Sequence, residues 1–222
     1  METGRAPQQQ RGRERRRALL EGASRVFDRV GFAQASLSDI ARESHATMGS
    51  LYFYFPSKEQ LALAIITEQN ARTFGSLEQA GRGHDTVQTL LHGSKAIADQ
   101  LLTDAVVRAG IRLSMEQGTL TAPTNGFYAD WIGGITDLVE LAAERGILRR
   151  DFEAAQLSRM IVATFTGTHV VSNVLTGRAD VYAALHVMWG VVLRGLVDAD
   201  RVEPYLKESA ELFASSVPPE RS

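Results

Sequence analysis

The 222-residue chain contains no cysteine, which excludes disulfides and thiolate metal sites and agrees with a reducing compartment. Proline is scarce, at 6 residues. No apolar run approaches the ~20 residues a bilayer-spanning helix needs. The most apolar stretch, Val187 to Val197, is interrupted by Arg194 and followed at once by Asp198, so it reads as a buried helix. The N-terminus carries Arg5, Arg11, Arg13, Arg15, Arg16 and Arg17 among glutamines, without the apolar stretch of a signal peptide, so no secretion is implied and a cytoplasmic location is expected. Catalytic signatures are missing too: there is no Gly-x-Ser-x-Gly and no His-Glu-x-x-His. His84 and His92 are eight apart, off one helical face, while His169 and His186 stand alone among apolar neighbours. No enzyme, no metal site and no cofactor is expected.

What is present is an ordinary folded composition, 44% apolar and 23% charged, enough for one small and one larger helical domain. The net charge of −2 is unevenly spread: residues 1 to 58 hold ten Lys or Arg against six Asp or Glu. A basic module joined to an acidic body is the outline expected when one end meets phosphate, although an arginine-rich start also fits a solvated tail.

The informative stretch runs from Ser36 to Lys58, SLSDIARESHATMGSLYFYFPSK. Ser36 and Asp39 have the spacing that satisfies the free N–H groups of a first helical turn, and Leu37, Ile40 and Ala41 form the buried side. The chain breaks at Ser44-His45-Ala46 and restarts at Thr47, whose hydroxyl can cap a second helix in which Leu51 faces inward and Gly49 and Ser50 face out. Small side chains at the start of a second helix let it sit deep in a major groove, so this is a helix-turn-helix. Pro56 stops it. Ahead of it, Leu19, Ala23, Val26, Phe27 and Val30 mark an amphipathic helix ending at Gly31.

From Ser57 and Gln60, a capping box, a linking helix runs toward Phe74 and Gly75. A helical pattern from about Thr86 to Gln117 breaks near Leu102 to Thr103, and Gly118 to Asn125 is a loop. Helices follow at roughly 126 to 145, 153 to 175, 180 to 197 and 202 to 216. With hardly any strand signal, the expected fold is all-α, with nine or ten helices, three of them in an N-terminal helix-turn-helix domain. In Leu185 to Leu193, around Trp189, the apolar surface runs almost all round the helix and exceeds what one monomer core needs, so this helix is read as a dimer seam. A two-fold dimer presents two reading helices ~34 Å apart, which calls for an inverted-repeat DNA site.

The 36 to 58 stretch, with Phe27 and Gly31-Phe32 before it, resembles the DNA-binding domain of the TetR family of transcriptional repressors. Ile40-Ala41 match the family's Ile-Ala pair, and Leu51, Tyr52, Phe55 and Lys58 match its Leu-Tyr-x-x-Phe and following Lys. Ser44-His45-Ala46 departs from the family's Ala-Gly-Val turn, so His45 is expected to adopt a left-handed conformation or gain a phosphate contact. The resemblance implies that Ser36, Thr47, Tyr52 and Lys58 touch phosphates, that Met48, Gly49 and Ser50 lie closest to base edges, and that Tyr54 is near the rim. Phe53 and Phe55 are expected in the core. Arg11 and Arg13, in an arm ahead of the first helix, could reach a minor groove or flanking phosphates, or remain a solvated tail.

Val106 to Leu113, the isolated Trp131 and Val162 to Val171 resemble, within that family, the γ-butyrolactone autoregulator receptors of antibiotic-producing bacteria. The resemblance implies domains at 1–56 for the arm and DNA-binding module and 57–222 for ligand binding and dimerisation. It also implies release from an operator by a lactone, butenolide or furan signal, and control of antibiotic or secondary-metabolite genes. Such a ligand asks for an apolar cavity with few donors. Gln69, Trp131 and Thr166 are the implied polar partners, with Leu90, Ile111, Val162 and Phe165 as wall. Thr164 and Thr168 share the other face of their helix and could equally bond backbone carbonyls. Trp131 could instead be a core or dimer-surface residue. The rival reading within the fold is a drug-efflux repressor, whose cationic ligands would need buried carboxylates, with Glu116, Asp130 and Asp137 as candidates.

Overall fold

The computed structural model describes residues 5–116, 120, 126–149 and 151–214. Among them are ten α-helices: α1 (Arg5–Gln34), α2 (Leu37–Glu43), α3 (Met48–Tyr54), α4 (Lys58–Ala80), α5 (Thr86–Thr103), α6 (Ala105–Met115), α7 (Gly126–Glu144), α8 (Ala154–Thr176), α9 (Val181–Leu196) and α10 (Val202–Ala214). The all-α expectation holds; the only β feature among the described residues is a bridge between Leu148 and Val197. The loop expected at 118 to 125, apart from Leu120, and the last two residues of the final helix lie outside the described residues.

Two compact units emerge, and the division does not fall at the expected Pro56–Ser57 boundary. The first holds α1, α2, α3, α4 as far as Thr73, and α6; the second holds α4 from Phe74, α5 as far as Leu102, and α7 to α10. The cause is the core of the first unit, in which Leu19, Val26 and Phe27 of α1, Ile40 of α2, Leu51 of α3 and Ile65 of α4 are joined by Val106, Ala109 and Leu113 of α6. Each buried Leu, Ile or Phe contributes about 1.5–3 kcal/mol, so α6 is integral to the head rather than an accessory.

As expected, the amphipathic helix breaks at Gly31: within α1 that residue is non-helical, with φ 75° and ψ 178° that are open to glycine but not to other residues, and a short helical segment follows the kink to Gln34. Beside Gly31, Arg112 Nε donates to Glu116 Oε1 at 3.1 Å, the Phe32 N–H donates to Glu116 Oε2 at 3.0 Å, and Arg112 Nη1 donates to the Asp28 carbonyl at 2.8 Å. Arg108 pairs with Asp28 at 2.7 Å. At its other end α1 already includes Arg11 and Arg13, which are exposed helical residues rather than members of an extended arm.

In the second unit, α7 packs on α8, α8 on α9 and α9 on α10. Trp189 corrects the dimer-seam assignment in part: it is 2% exposed, and its indole Nε1 donates to Ser94 Oγ at 2.8 Å. The apolar surface of α9 that faces outward is Val187 and Val191, next to Val171, Val174 and Leu175 of α8, all more than half exposed. All of these but Val174 line an open apolar groove of about 1160 Å³. His84 and His92 are also not as the sequence suggested. His84 lies in the turn before α5, not on the helix, and this places its ring parallel to that of His92 at 4.0 Å.

Candidate nucleic-acid interface and ligand cavity

The reading pair is built by its caps. Ser36 Oγ accepts from the Asp39 N–H at 3.1 Å and donates to Asp39 Oδ2 at 2.6 Å. That hydrogen bond, reinforced by an ion pair to Arg42, holds the Asp39 carboxyl below its ordinary range. Thr47 caps α3, its hydroxyl accepting from the Ser50 N–H at 3.1 Å. Between the helices His45 takes φ 49°, the left-handed value expected for the atypical turn. Its carbonyl accepts from Arg15 Nη2 at 3.3 Å, and Arg25 pairs with Glu43 at 2.6 Å, so α1 clamps the turn from two sides. Arg15, which is exposed and stands one turn before Leu19, was not among the expected site residues.

α3 presents Met48, Gly49, Ser50 and Tyr52 outward; Met48 is 38% and Tyr52 49% exposed. A Cβ at Gly49 would meet nothing within 4 Å. Glycine inside a helix costs about 0.5–1 kcal/mol relative to alanine, and nothing in the fold requires it at this position. Phe55 is in the core at 2% exposed, but Phe53 is not: it is 80% exposed and meets Tyr54 edge-on with centroids 5.0 Å apart. Phe53 therefore joins the outward surface. Lys58 departs from its expected phosphate role. Its ammonium donates to the carbonyls of Phe32 at 2.9 Å and Ala35 at 3.0 Å and lies 4.4 Å from the Phe32 ring centre, which ties the start of α4 to the end of α1.

In the second unit a cavity of about 40 Å³ is walled by Leu90, Trp131, Val162 and Phe165, four of the expected residues, with Ser94 and Trp189 beside them. Trp131 is held edge-on against Phe74 with centroids 5.1 Å apart and lies against Phe127. A Cβ at Gly93 would stand 2.4 Å from Leu77 Cδ1, so this glycine lets Leu77 close the wall. Among the described residues no carboxylate lines the cavity. The face of α8 turned to it is that of Ile161, Val162 and Phe165, and neither threonine face is used. Thr164 and Thr168 donate to the carbonyls of Met160 and Thr164, each at 2.8 Å, and line the outer groove instead. Thr166 is half-buried and lines neither, which corrects its assignment as a polar ligand contact.

Gln69 and Ile111 belong to the first unit. Gln69 is fully buried against Gly110, where a Cβ would come within 2.4 Å of its own Cβ. Its Nε2 donates to Thr73 Oγ1 at 2.9 Å, while its Oε1 has no hydrogen-bond partner. The carboxylates considered for cationic ligands are elsewhere: Glu116 is paired with Arg112, and Asp130 and Asp137 are exposed.

Comparison with known proteins places these two units. Residues 19–65 match the model for bacterial regulatory proteins of the TetR family, and residues 84–198 match the tetracyclin repressor-like C-terminal domain. The chain is similar to the A-factor receptor protein of Streptomyces griseus, 36% identical over 177 residues that are 80% of this chain and 62% of that protein. It thus spans less than two thirds of that relative. A crystal structure of a γ-butyrolactone receptor, an ArpA-like protein, superposes with a TM-score of 0.80 at 26% identity over 93% of this chain and all of that one. CprB from Streptomyces coelicolor, solved in complex with its biological operator sequence, gives a TM-score of 0.79 at 28% identity over 93% of this chain and 100% of that one. With its helix-turn-helix of Ser36 to Lys58 and both family models matched, the chain is a member of the TetR family of bacterial regulatory proteins.

Proposed function

We propose that this protein is a transcriptional repressor that binds an inverted-repeat operator as a homodimer and is released by a small lactone, butenolide or furan signal, controlling antibiotic or secondary-metabolite genes. The observation that carries this reading is the pairing of an outward α3, with its unforced Gly49, and an apolar cavity free of carboxylates. An uncharged ring with an alkyl tail suits such walls, whereas the cationic drugs of an efflux repressor would be left without a counter-ion. The similar receptors favour the same ligand class. A regulator with no described helix long and apolar enough to cross a membrane would act in the cytoplasm.

In this reading Tyr52, Ser36 and Thr47 meet phosphates, Met48, Gly49 and Ser50 read bases, and Arg11, Arg13, His45 and Tyr54 supply flanking contacts. The apolar face of Val171, Val174, Leu175, Val187 and Val191 is the dimer seam, since exposed patches of this kind are rare on monomers. Trp131, Leu90, Val162 and Phe165 hold the ligand. A ring-and-tail signal is larger than about 40 Å³, so it enters by displacing wall side chains. Because α4 contributes residues to both units, its displacement is the means by which ligand reaches the head. A preference of ~2–3 kcal/mol for the DNA-free state lowers operator affinity about 30- to 150-fold.

The test is operator selection from random duplexes followed by mobility shift with added γ-butyrolactones. Wild-type protein is expected to select a two-fold site and leave it when lactone is added. Trp131→Ala should bind DNA but ignore lactone, and Thr166→Val should behave as wild type. Unchanged release in Trp131→Ala removes the cavity from the mechanism, and selection of a non-repeated site removes the dimer.

A further inference from the structure

The turn after α4 brings three potential metal ligands together with a chain segment from the far end of the second unit. His84, in that turn, His92 on α5 and Glu208 on α10 each offer a donor atom, and the three atoms lie within 4.8 Å of one another. The sequence separates Glu208 from the histidines by more than a hundred residues, so only folding assembles the set.

The hydrogen bonds around the cluster are those a metal site uses. His84 Nδ1 lies 2.7 Å from the Ala80 carbonyl, which can only accept. The proton is therefore on Nδ1, and Nε2 carries the lone pair. A ring N–H given to a backbone carbonyl is the usual way a ligating histidine is held in its tautomer. His92 Nε2 lies 2.8 Å from Glu208 Oε1, and Glu208 Oε2 accepts from Gln88 Nε2 at 3.0 Å. Gln88 is itself oriented by the Asp85 N–H, which donates to its Oε1 at 3.0 Å. The two imidazole rings stack 4.0 Å apart and 15° from parallel, an arrangement that two imidazolium cations would oppose. Neighbouring positive charge is partly neutralised: Lys95 pairs with Asp99 at 2.6 Å, and Lys207 lies 3.9 Å from Glu211.

We propose that His84 Nε2, His92 Nε2 and Glu208 form a binding site for a divalent transition metal of the zinc class, fastening α10 to the turn between α4 and α5. Two imidazoles and one carboxylate suit zinc, cobalt or nickel, and leave a fourth place of a tetrahedral shell for water. Magnesium and calcium, which take all-oxygen shells, are rejected. In a tetrahedral shell with bonds of ~2.0–2.1 Å, donors stand about 3.4 Å apart, so small side-chain rotations close the set. The metal replaces the hydrogen bond between His92 and Glu208, and His92 binds it in the tautomer that leaves Nε2 free. Tyr205, whose hydroxyl donates to Asp85 Oδ2 at 2.8 Å, already holds the same helix to the same turn, and the metal adds a second fastening.

The experiment uses the tag-free full chain, stripped with chelator and titrated with zinc, cobalt or magnesium chloride. At a hundredfold excess over its dissociation constant, zinc is expected to raise the melting temperature by roughly 5–10 °C, and magnesium to leave it unchanged. Cobalt should give the intense visible bands of tetrahedral Co²⁺. His84→Gln and Glu208→Gln should each lose more affinity than the roughly 10- to 100-fold expected for Gln88→Ala, which only frees a ligand's own partner. Because the readout is the metal-induced increment, a lower starting stability in a variant does not obscure it. The pale spectrum of hydrated cobalt with the parent protein would overturn the proposal. So would a zinc increment that survives intact in His84→Gln combined with Glu208→Gln.

Discussion

Gly31→Ala is expected to unseat the junction between α1 and α6 and to destabilise the reading head selectively. At φ 75° and ψ 178° an alanine costs ~1–3 kcal/mol in backbone strain alone. Its Cβ would stand 2.6 Å from Glu116 Oε1 and 2.8 Å from Arg112 Nη2, so the pair must move and the Phe32 N–H loses its acceptor. An unpaired part-buried N–H adds ~1–3 kcal/mol, giving about 2–6 kcal/mol altogether. For a chain of this size a central value of about 4 kcal/mol lowers the melting midpoint by roughly 8–16 °C. Urea unfolding followed by two probes locates the effect. Trp131 and Trp189 are both in the second unit, so their fluorescence reports that unit, while far-ultraviolet circular dichroism reports both. The dichroism transition should shift to lower urea and the fluorescence transition should stay. In a background carrying both Arg112→Ala and Glu116→Ala the clash is gone, and only the strain of ~1–3 kcal/mol should remain. A cost below ~0.5 kcal/mol for Gly31→Ala, the level of an ordinary surface change, would refute the reasoning.

Lys58→Met should cost about 1.5–3 kcal/mol of stability through its two lost carbonyl bonds, with the salt dependence of operator binding unaltered; a slope reduced by about 1 would restore the phosphate role. Burial, then the positive charge of Arg178, depress the His169 pKa to about 4 from an ordinary 6.5, so the unfolded chain binds the extra proton. Stability contributed by neutral His169 is therefore complete above pH 6.5 and lost as pH falls to 4, by roughly 3 kcal/mol, and His169→Phe should flatten that window in denaturation at a series of pH values. Tyr52→Phe should weaken binding to every DNA sequence alike, whereas Ser50→Ala should change which sequence is preferred; equal losses for both in competition binding would overturn the contact roles. Val187→Asp with Val191→Asp should leave a soluble monomer by light scattering, and a persistent dimer would move the seam elsewhere.

By itself the sequence determined the caps, the periodic faces and the helix count, because each is a local relation among residues a turn or two apart. Ser36, Thr47 and Ser57 stand where α2, α3 and α4 begin, and the tight turn forced His45 into the left-handed region. Four of the seven expected ligand residues do wall one cavity. What tertiary structure alone decided depends on partners distant in the chain. α6 joined the head because Val106, Ala109 and Leu113 complete its core, which moved the division between units away from Pro56. Lys58 was drawn to carbonyls at the end of α1, Trp189 turned inward to Ser94, and Phe53 was left outside. Helical periodicity gives the angle between residues but not the neighbour each faces, so Thr166 could not be separated from Val162 and Phe165 before α8 met α7 and α9. The same limit hid the meeting of His84, His92 and Glu208, which no spacing along the chain encodes.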